Sequence, residues 1–125
     1  LKEVIKKLKV LGIRISLFMD PDIEHITLAH KIGADRVELY TGPFADAFVK
    51  NHDVTTCLDK YKKAVNHAQQ IGLKVNAGHD LNLKNLKTFL GIGNIQEVSI
   101  GHALISDALQ YGIEQTVKQY LKECN

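Results

Sequence analysis

The sequence is poor in cysteine, carries little net charge and has no long apolar run. Its two cysteines, Cys57 and Cys124, stand far apart without ligand spacing around them, so we expect neither a disulfide nor a metal site there. A formal net charge of +2 is too small to favour a nucleic-acid-binding protein. No apolar run approaches the ~20 residues of a membrane-spanning helix, and no basic segment followed by an apolar one opens the chain. These absences favour a protein of the cytoplasm, a reducing compartment.

Motifs for common cofactors are also missing. No Gly-x-Gly-x-x-Gly run follows a predicted strand, so a dinucleotide is not indicated. The histidines lack ligand spacing along one helix, and Asp80 is a lone carboxylate beside His79. The sequence therefore predicts no metal site.

The overall composition is that of one compact domain. Hydrophobic residues make up 45% of the 125 residues and charged residues 24%, as in ordinary globular proteins. No linker or low-complexity segment interrupts the chain, so residues 1–125 are predicted to form a single domain. The sequence opens at Leu1 inside an amphipathic helix pattern, which we interpret as a truncation.

One unit recurs four times along the chain. An amphipathic stretch ends in an apolar residue and a glycine, which is typical of a helix end, and a short β-rich run follows. The predicted strands cover residues 13–19, 37–41, 75–78 and 98–101. The predicted helices cover residues 23–32, 54–71, 82–90 (with Asn82 as cap), 103–110 and 113–122. Strands that alternate with helices predict βαβ units and a parallel sheet.

The strands alternate between apolar residues on one face and polar or small residues on the other. The polar face carries Arg14, Ser16, Phe18, Arg36, Glu38, Tyr40, Lys74, Asn76, Gly78, Ser99 and Gly101. A sheet covered by helices on one side places such a face in a barrel interior, whereas central strands of an open doubly wound sheet are almost continuously apolar. The pattern favours four βα units of a (β/α)8 TIM barrel over a small open α/β sheet.

Two Gly-His pairs, Gly78-His79 and Gly101-His102, end the last two strands. Active sites of such barrels lie at the C-terminal ends of the strands, and phosphate is often bound after strands 7 and 8. Glycine lets a ligand approach backbone N–H groups, and the helix predicted after His102 would point its N-terminus at an anion. The pairs predict a phosphate site in which both histidines bind phosphate or exchange protons. The alternative is that they only satisfy backbone carbonyls.

Glu38 lies on the polar face of its strand, one turn below the mouth of the predicted barrel. A carboxylate there either pairs with a cation such as Arg14 or Arg36 or takes part in chemistry, and spacing alone does not separate these interpretations. Residues 43–53 show no clear periodicity and follow a glycine, so they are a candidate lid loop.

At these strand ends the sequence resembles the pyridoxine 5′-phosphate synthase family. The matching segments are residues 15–22, 32–42, 45–47, 72–79 and 99–103, in order and with nearly the family's spacing. The combination of Asn-Ala-Gly-His at 76–79 with Ile-Gly-His-Ala at 100–103 is the most specific part. The resemblance implies the C-terminal half of a (β/α)8 barrel, with the N-terminal half absent from this chain.

The resemblance also implies an activity. The family are cytoplasmic homo-octameric transferases of vitamin B6 biosynthesis that condense 3-amino-2-oxopropyl phosphate with 1-deoxy-D-xylulose 5-phosphate. Pyridoxine 5′-phosphate, inorganic phosphate and water are the products, and no metal or organic cofactor is implied. By motif match, His79 would be the proton donor and Glu38 would stabilise a transition state or a cationic intermediate. The backbone of Asp80, with Gly101 and His102, would bind the phosphate of the amino-ketone.

Two residues depart from the family's pattern. Asp80 stands where glycine is usual, and its side chain should turn outward or toward His79, because a carboxylate aimed inward would repel phosphate. Tyr40 stands where histidine is frequent, which we expect to matter less.

The motifs of the family's first strands, including a catalytic histidine and a catalytic glutamate, do not occur in this sequence. We therefore expect the 125-residue chain alone to be inactive. Two other interpretations remain open. One is another phosphosugar barrel enzyme, such as an isomerase or aldolase, and the other is a non-catalytic phosphate-binding half-barrel that acts as a dimer.

Overall fold

The computed structural model describes all residues from Leu1 to Asn125 as four parallel strands and seven helices. The strands are β1 (Ser16–Met19), β2 (Arg36–Tyr40), β3 (Lys74–Gly78) and β4 (Glu97–Ser99). The helices are α1 (Lys2–Val10), α2 (Ile23–Lys31), α3 (Gly42–Lys50), α4 (Val54–Gln70), α5 (Leu86–Leu90), α6 (His102–Tyr111) and α7 (Ile113–Glu123). None of the helices combines the length and apolarity needed to cross a membrane.

The strands form one sheet in the order β1-β2-β3-β4, with every neighbouring pair parallel. Because right-handed crossovers that always advance in one direction place their helices on the same face, this order leaves the other face uncovered. The arrangement is that of a partial TIM barrel, and the predicted fold class is confirmed.

The two faces of the sheet differ as the alternation predicted. Val37, Leu39, Val75 and Ala77 point toward the helices and are fully buried. On the inner face Phe18 is 57% exposed, since no helix covers that side. The core therefore lies between the outer face of the sheet and the helices.

Three aromatic rings form the centre of this core. Phe89 of α5 lies 5.1 Å from Phe44 of α3 and 5.2 Å from Tyr61 of α4, measured between ring centroids. All three rings are fully buried. The Tyr61 hydroxyl donates to the carbonyl of Tyr40 at 2.6 Å, and burial raises the pKa of this phenol. The helices are thereby fixed to the carboxyl end of β2.

Asp35 ties α1 to the amino ends of the first two strands. One carboxylate oxygen accepts from Lys9 Nζ at 2.8 Å, and the other accepts from the Ile15 N–H at 2.8 Å. The hydrogen bonds from Lys9 and then from Ile15 hold the pKa of Asp35 below its ordinary value.

The segment proposed as a lid loop was interpreted wrongly as irregular, because residues 42–50 form the helix α3. Pro43 lies in the first turn, where its missing N–H costs nothing, and Asn51 ends the helix with a left-handed φ of 49°. Only Phe44, Ala45 and Gly42 are buried, and nine residues are too few to show a clear apolar period.

Three further boundaries differ from the sequence prediction by at least two residues. The strand predicted from residue 13 begins at Ser16. The helix predicted from residue 82 begins at Leu86, and Asn82 forms a turn in which its Oδ1 accepts from the Lys84 N–H at 2.9 Å. The strand predicted to reach Gly101 ends at Ser99, because Gly101 is already the N-cap of α6.

Candidate active site

The carboxyl ends of the strands bring the predicted site residues to one edge of the sheet. Glu38 lies on the inner face of β2, and His79 and Asp80 directly follow β3. Gly101 and His102 follow β4 at the start of α6. Because the strands are parallel and in register, all five residues lie at the edge where barrel enzymes carry their active sites.

The carboxylate of Glu38 lies over Gly78. In the sheet register Glu38 stands level with Phe18 on β1 and Asn76 on β3. A Cβ atom on Gly78 would lie 2.5 Å from Glu38 Oε1. The carboxylate thus occupies space that only a glycine leaves free, and the side chain reaches from β2 to the end of β3.

Neither predicted arginine partner binds Glu38. Arg14 Nη2 and Arg36 Nη1 lie 3.7 and 3.1 Å from Glu97 Oε2, at the amino end of the sheet. Arg36 also donates to Asn76 Oδ1 at 2.9 Å. The ion-pair interpretation of Glu38 was wrong, and its carboxylate remains unpaired at the mouth of the half-barrel.

His79 and Asp80 both have left-handed backbone conformations. Their φ angles are 94° and 59°, which are uncommon for residues with a Cβ atom and cost about 1–3 kcal/mol each. Aspartate tolerates this region better than most residues, and glycine tolerates it best. The conformation of position 80 therefore suits either the aspartate found here or a glycine.

Two buried polar side chains hold this strained turn. The Thr41 hydroxyl donates to the carbonyl of His79, and Asn85 Nδ2 donates to the carbonyl of Asp80 at 3.1 Å. Both Thr41 and Asn85 are fully buried. Asn85 is itself oriented by the Asn82 N–H, which donates to its Oδ1 at 2.8 Å. Since each carbonyl is satisfied from the protein interior, the turn presents the adjacent N–H groups and side chains outward.

The Asp80 carboxylate lies between two imidazoles. Its Oδ2 is 3.2 Å from His79 Nδ1, and its Oδ1 is 4.0 Å from His102 Nδ1. The side chain therefore turns toward His79, which is one of the two orientations expected for it.

Tyr40 and Phe18 flank the His79 ring. Tyr40 meets it edge-on at 5.1 Å between centroids, and Phe18 lies 6.3 Å from His79 and 5.7 Å from Tyr40. The Tyr40 ring packs against Gly42, where a Cβ atom would collide with it. Tyr40 was expected to matter little, but the structure places it in the wall of the candidate site.

A shallow pocket of about 260 Å³ adjoins this cluster. It is lined by Gly42, Ala45, Asp46, Val49, Asp80, Asn82 and His102. No side chain caps the N-terminus of α6, so the first N–H groups of that helix are available to an anion. The Asp80 N–H also has no acceptor within the chain.

The remaining candidates lie away from this edge. A cleft of about 500 Å³ opens at the amino ends of the strands, but four of its five charged side chains already form ion pairs, namely Lys9, Asp35, Arg14 and Arg36. No group of three or more histidine, cysteine, aspartate or glutamate side chains is arranged to hold a metal ion.

The residues that sequence reasoning missed are Thr41, Asn85 and Phe18. The sequence indicates little about the roles of Thr41 and Asn85, because a threonine at a strand end or an asparagine in a turn is common and has many possible roles. Their contacts depend on neighbouring strands and loops that local sequence does not bring together.

Fold and site together define a partial (β/α) barrel with a polar cluster at the carboxyl ends of its strands. The family model described as Pyridoxal phosphate biosynthesis protein PdxJ matches residues 1–125, and the chain belongs to that family.

Three curated relatives, each named pyridoxine 5′-phosphate synthase, are similar to the chain. The protein from Porphyromonas gingivalis is 52% identical over 110 residues, covering 87% of this chain and 45% of the relative. Those from Cytophaga hutchinsonii and Bacteroides fragilis are 48% and 49% identical over 98% and 99% of this chain, and 51% and 52% of the relatives. The chain thus spans about half the length of the curated relatives it matches, and that half is the C-terminal one.

Proposed function

We propose that this chain is the C-terminal half of a pyridoxine 5′-phosphate synthase barrel and carries part of its active site. The reaction condenses 3-amino-2-oxopropyl phosphate with 1-deoxy-D-xylulose 5-phosphate to give pyridoxine 5′-phosphate, phosphate and water. The observation that carries the proposal is the meeting of Glu38, His79 and the uncapped start of α6 at one sheet edge.

In this proposal His79 is the proton donor. Its imidazole is 59% exposed at the mouth, so a substrate can reach it, and histidine is the side chain most often used for proton transfer in catalysis. The edge contact with Tyr40 and the turn held by Thr41 limit the positions of the ring. Donation from a positioned imidazole is worth about 10²–10⁴-fold in rate.

Glu38 stabilises positive charge that develops on the amino-ketone during the condensation. This role is supported by its unpaired carboxylate, since a carboxylate already bound to an arginine would have less to offer a cationic intermediate. The carboxylate lies against the Gly78 backbone, which limits its movement toward β3.

The phosphate of the amino-ketone binds the N–H groups of Asp80, Gly101 and His102. The free Asp80 N–H and the uncapped start of α6 support this role, because backbone donors at a helix N-terminus favour anions. The His102 imidazole lies at the rim of the same pocket, where a ring N–H can donate to the phosphate. The proposal includes no metal or organic cofactor.

The activity belongs to the closed barrel. The four-stranded sheet has an uncovered inner face and two unpaired edges, one at β1 and one at β4. The proposed substrates therefore contact only half of a site. The 125-residue chain alone is therefore inactive in this proposal, and the complete protein is a cytoplasmic transferase that assembles as a homo-octamer.

A chimera tests the proposal. The N-terminal half of the Bacteroides fragilis relative is fused to Leu1, and formation of pyridoxine 5′-phosphate from the two substrates is measured for the chimera, the isolated chain and the full-length relative. We expect product from the chimera and the relative only. A folded chimera without activity contradicts the proposed function and favours a phosphate-binding half-barrel. Turnover by the isolated chain near the rate of the relative contradicts the half-site argument.

A further inference from the structure

The carboxylate of Asp80 lies next to one particular nitrogen of His79. The contact is between Asp80 Oδ2 and His79 Nδ1, at 3.2 Å. An ionised carboxylate can only accept hydrogen bonds, so the proton of this contact must belong to Nδ1. The hydrogen bond made by one ring nitrogen decides which nitrogen carries the proton in the neutral ring.

We propose that Asp80 is a positioning residue that holds the neutral His79 imidazole in its Nδ1–H form and leaves Nε2 as the nitrogen that carries the transferred proton. The inference rests on the proposed role of His79 as proton donor and deepens it. The imidazolium releases the Nε2 proton to the substrate, and the neutral ring retains the Nδ1 proton bound to Asp80. Protons balance in this step, and no other reactant is needed.

The backbone supports this assignment. His79 and Asp80 are adjacent and both have positive φ, and their carbonyls are held by Thr41 and Asn85. An extended chain would direct two successive side chains to opposite sides, whereas this turn brings them into contact. The contact is thus a product of the strained conformation and not of sequence proximity alone.

The surrounding rings restrict the alternative. Tyr40 lies edge-on to His79 at 5.1 Å and Phe18 lies 6.3 Å away on the inner face. Rotating the imidazole to place Nε2 against Asp80 would move the ring relative to both neighbours. His102 Nδ1, at 4.0 Å from Asp80 Oδ1, is too far for a hydrogen bond and leaves Oδ2 free for His79.

A second histidine–aspartate pair in the chain provides an internal reference. His52 and Asp53 are also adjacent, but there the contact is between His52 Nε2 and Asp53 Oδ2, at 3.0 Å. Despite the short distance the two groups do not have the geometry of a hydrogen bond, so this contact does not fix the tautomer of the neutral His52 ring. His79 should therefore show one tautomer in a spectrum in which His52 shows no preference set by its aspartate.

Long-range ¹H–¹⁵N correlation spectra of the isolated chain, recorded where the imidazoles are neutral, test the inference. We expect a pyrrole-type Nδ1 signal and a pyridine-type Nε2 signal for His79, and no such fixed pattern for His52. In Asp80→Gly we expect the proton of the neutral His79 ring to shift to Nε2, so that Nε2 gives the pyrrole-type signal and Nδ1 no longer does. Glycine suits the left-handed φ of position 80, so this variant should fold.

Asp53→Asn is the matched control and should leave the His79 signals unchanged. A pyridine-type Nδ1 in the wild-type chain, or a His79 pattern unaffected by Asp80→Gly, would overturn the inference. Because these spectra need no turnover, their outcome is separate from that of the proposed function. Should the spectra agree while His79→Ala leaves product formation by the chimera intact, the proton-donor role fails and the positioning by Asp80 stands.

Discussion

At the scale of single residues, the candidate site depends on backbone positions as much as on reactive side chains. Gly78 makes room for the Glu38 carboxylate, and Thr41 satisfies the carbonyl of the strained His79. The sequence pointed to Glu38 through its place on the polar face of a strand and to His79 through the paired Gly-His strand ends, and the roles of both came from the family resemblance. It could not identify the role of Thr41, since that hydrogen bond crosses from β2 to the end of β3.

Gly78→Ala should displace Glu38 without unfolding the chain. The added methyl group would lie 2.5 Å from Glu38 Oε1 and 3.0 Å from Ser99 Cβ, and the flexible end of a glutamate moves at little cost. In the active chimera we expect lower kcat, with the unfolding free energy changed by less than about 1 kcal/mol. The double variant Gly78→Ala/Glu38→Ala should be no slower than Glu38→Ala alone. Additive losses would show that Gly78 acts independently of Glu38.

Thr41→Val should destabilise the chain by about 1–3 kcal/mol, because it keeps the shape of this buried side chain but leaves the His79 carbonyl without its donor. Urea unfolding measures the change. Thr56→Val, at an exposed position of α4, is the matched control and should cost less than about 0.5 kcal/mol. Equal effects at both positions would contradict the role of Thr41.

At the scale of elements, the order and type of strands and helices follow from hydrophobic pattern, whereas their ends follow from contacts. The alternation along β2 and β3 predicted which face is buried, because one side of each strand meets helices and the other does not. The helix α3 was missed because its short length hides its period. The start of α5 was misplaced because Asn82 forms a turn and does not cap a helix.

The two faces of the sheet should respond differently to truncation of phenylalanine. Phe89→Ala removes a fully buried ring from between Phe44 and Tyr61, and we expect a loss of about 3–5 kcal/mol. Phe18→Ala truncates a ring on the uncovered inner face, and we expect about 0.5 kcal/mol or less in the isolated chain. Comparable losses measured by urea unfolding would contradict the one-sided core.

The tie between α1 and the strands should make stability depend on pH. The folded-state pKa of Asp35 lies below its unfolded value of ~3.9, so its contribution to stability is fully present above that value. It is lost as the pH falls through the lower folded-state pKa. Asp35→Asn should therefore lower the unfolding free energy at pH 6. It should also make the fall of the unfolding free energy between pH 4 and pH 2 smaller than in the wild-type chain. Asp46→Asn, whose exposed carboxylate pairs only with Lys50, should leave that decline unchanged.

At the scale of the whole molecule, the chain is four βα units whose inner face and sheet edges have no partner within it. Large apolar side chains are also exposed on α1, α6 and α7, namely Val4, Val10, Ile105, Leu109, Ile113 and Leu121. The alternating pattern predicted this architecture, because it reports which residues meet helices. The pattern contains no information on the residues that complete the site. We propose that those residues lie in an N-terminal half of the kind found in the relatives.

The most direct test of the central claim is the rate of pyridoxine 5′-phosphate formation by the chimera carrying His79→Ala, compared with His30→Ala. His79 lies at the mouth of the half-barrel, while His30 lies on the exposed surface of α2. We predict that His79→Ala lowers kcat by at least about 10²-fold and that His30→Ala leaves it unchanged. Equal rates for the two variants would contradict the assignment of His79, and with it the claim that this chain supplies the proton donor.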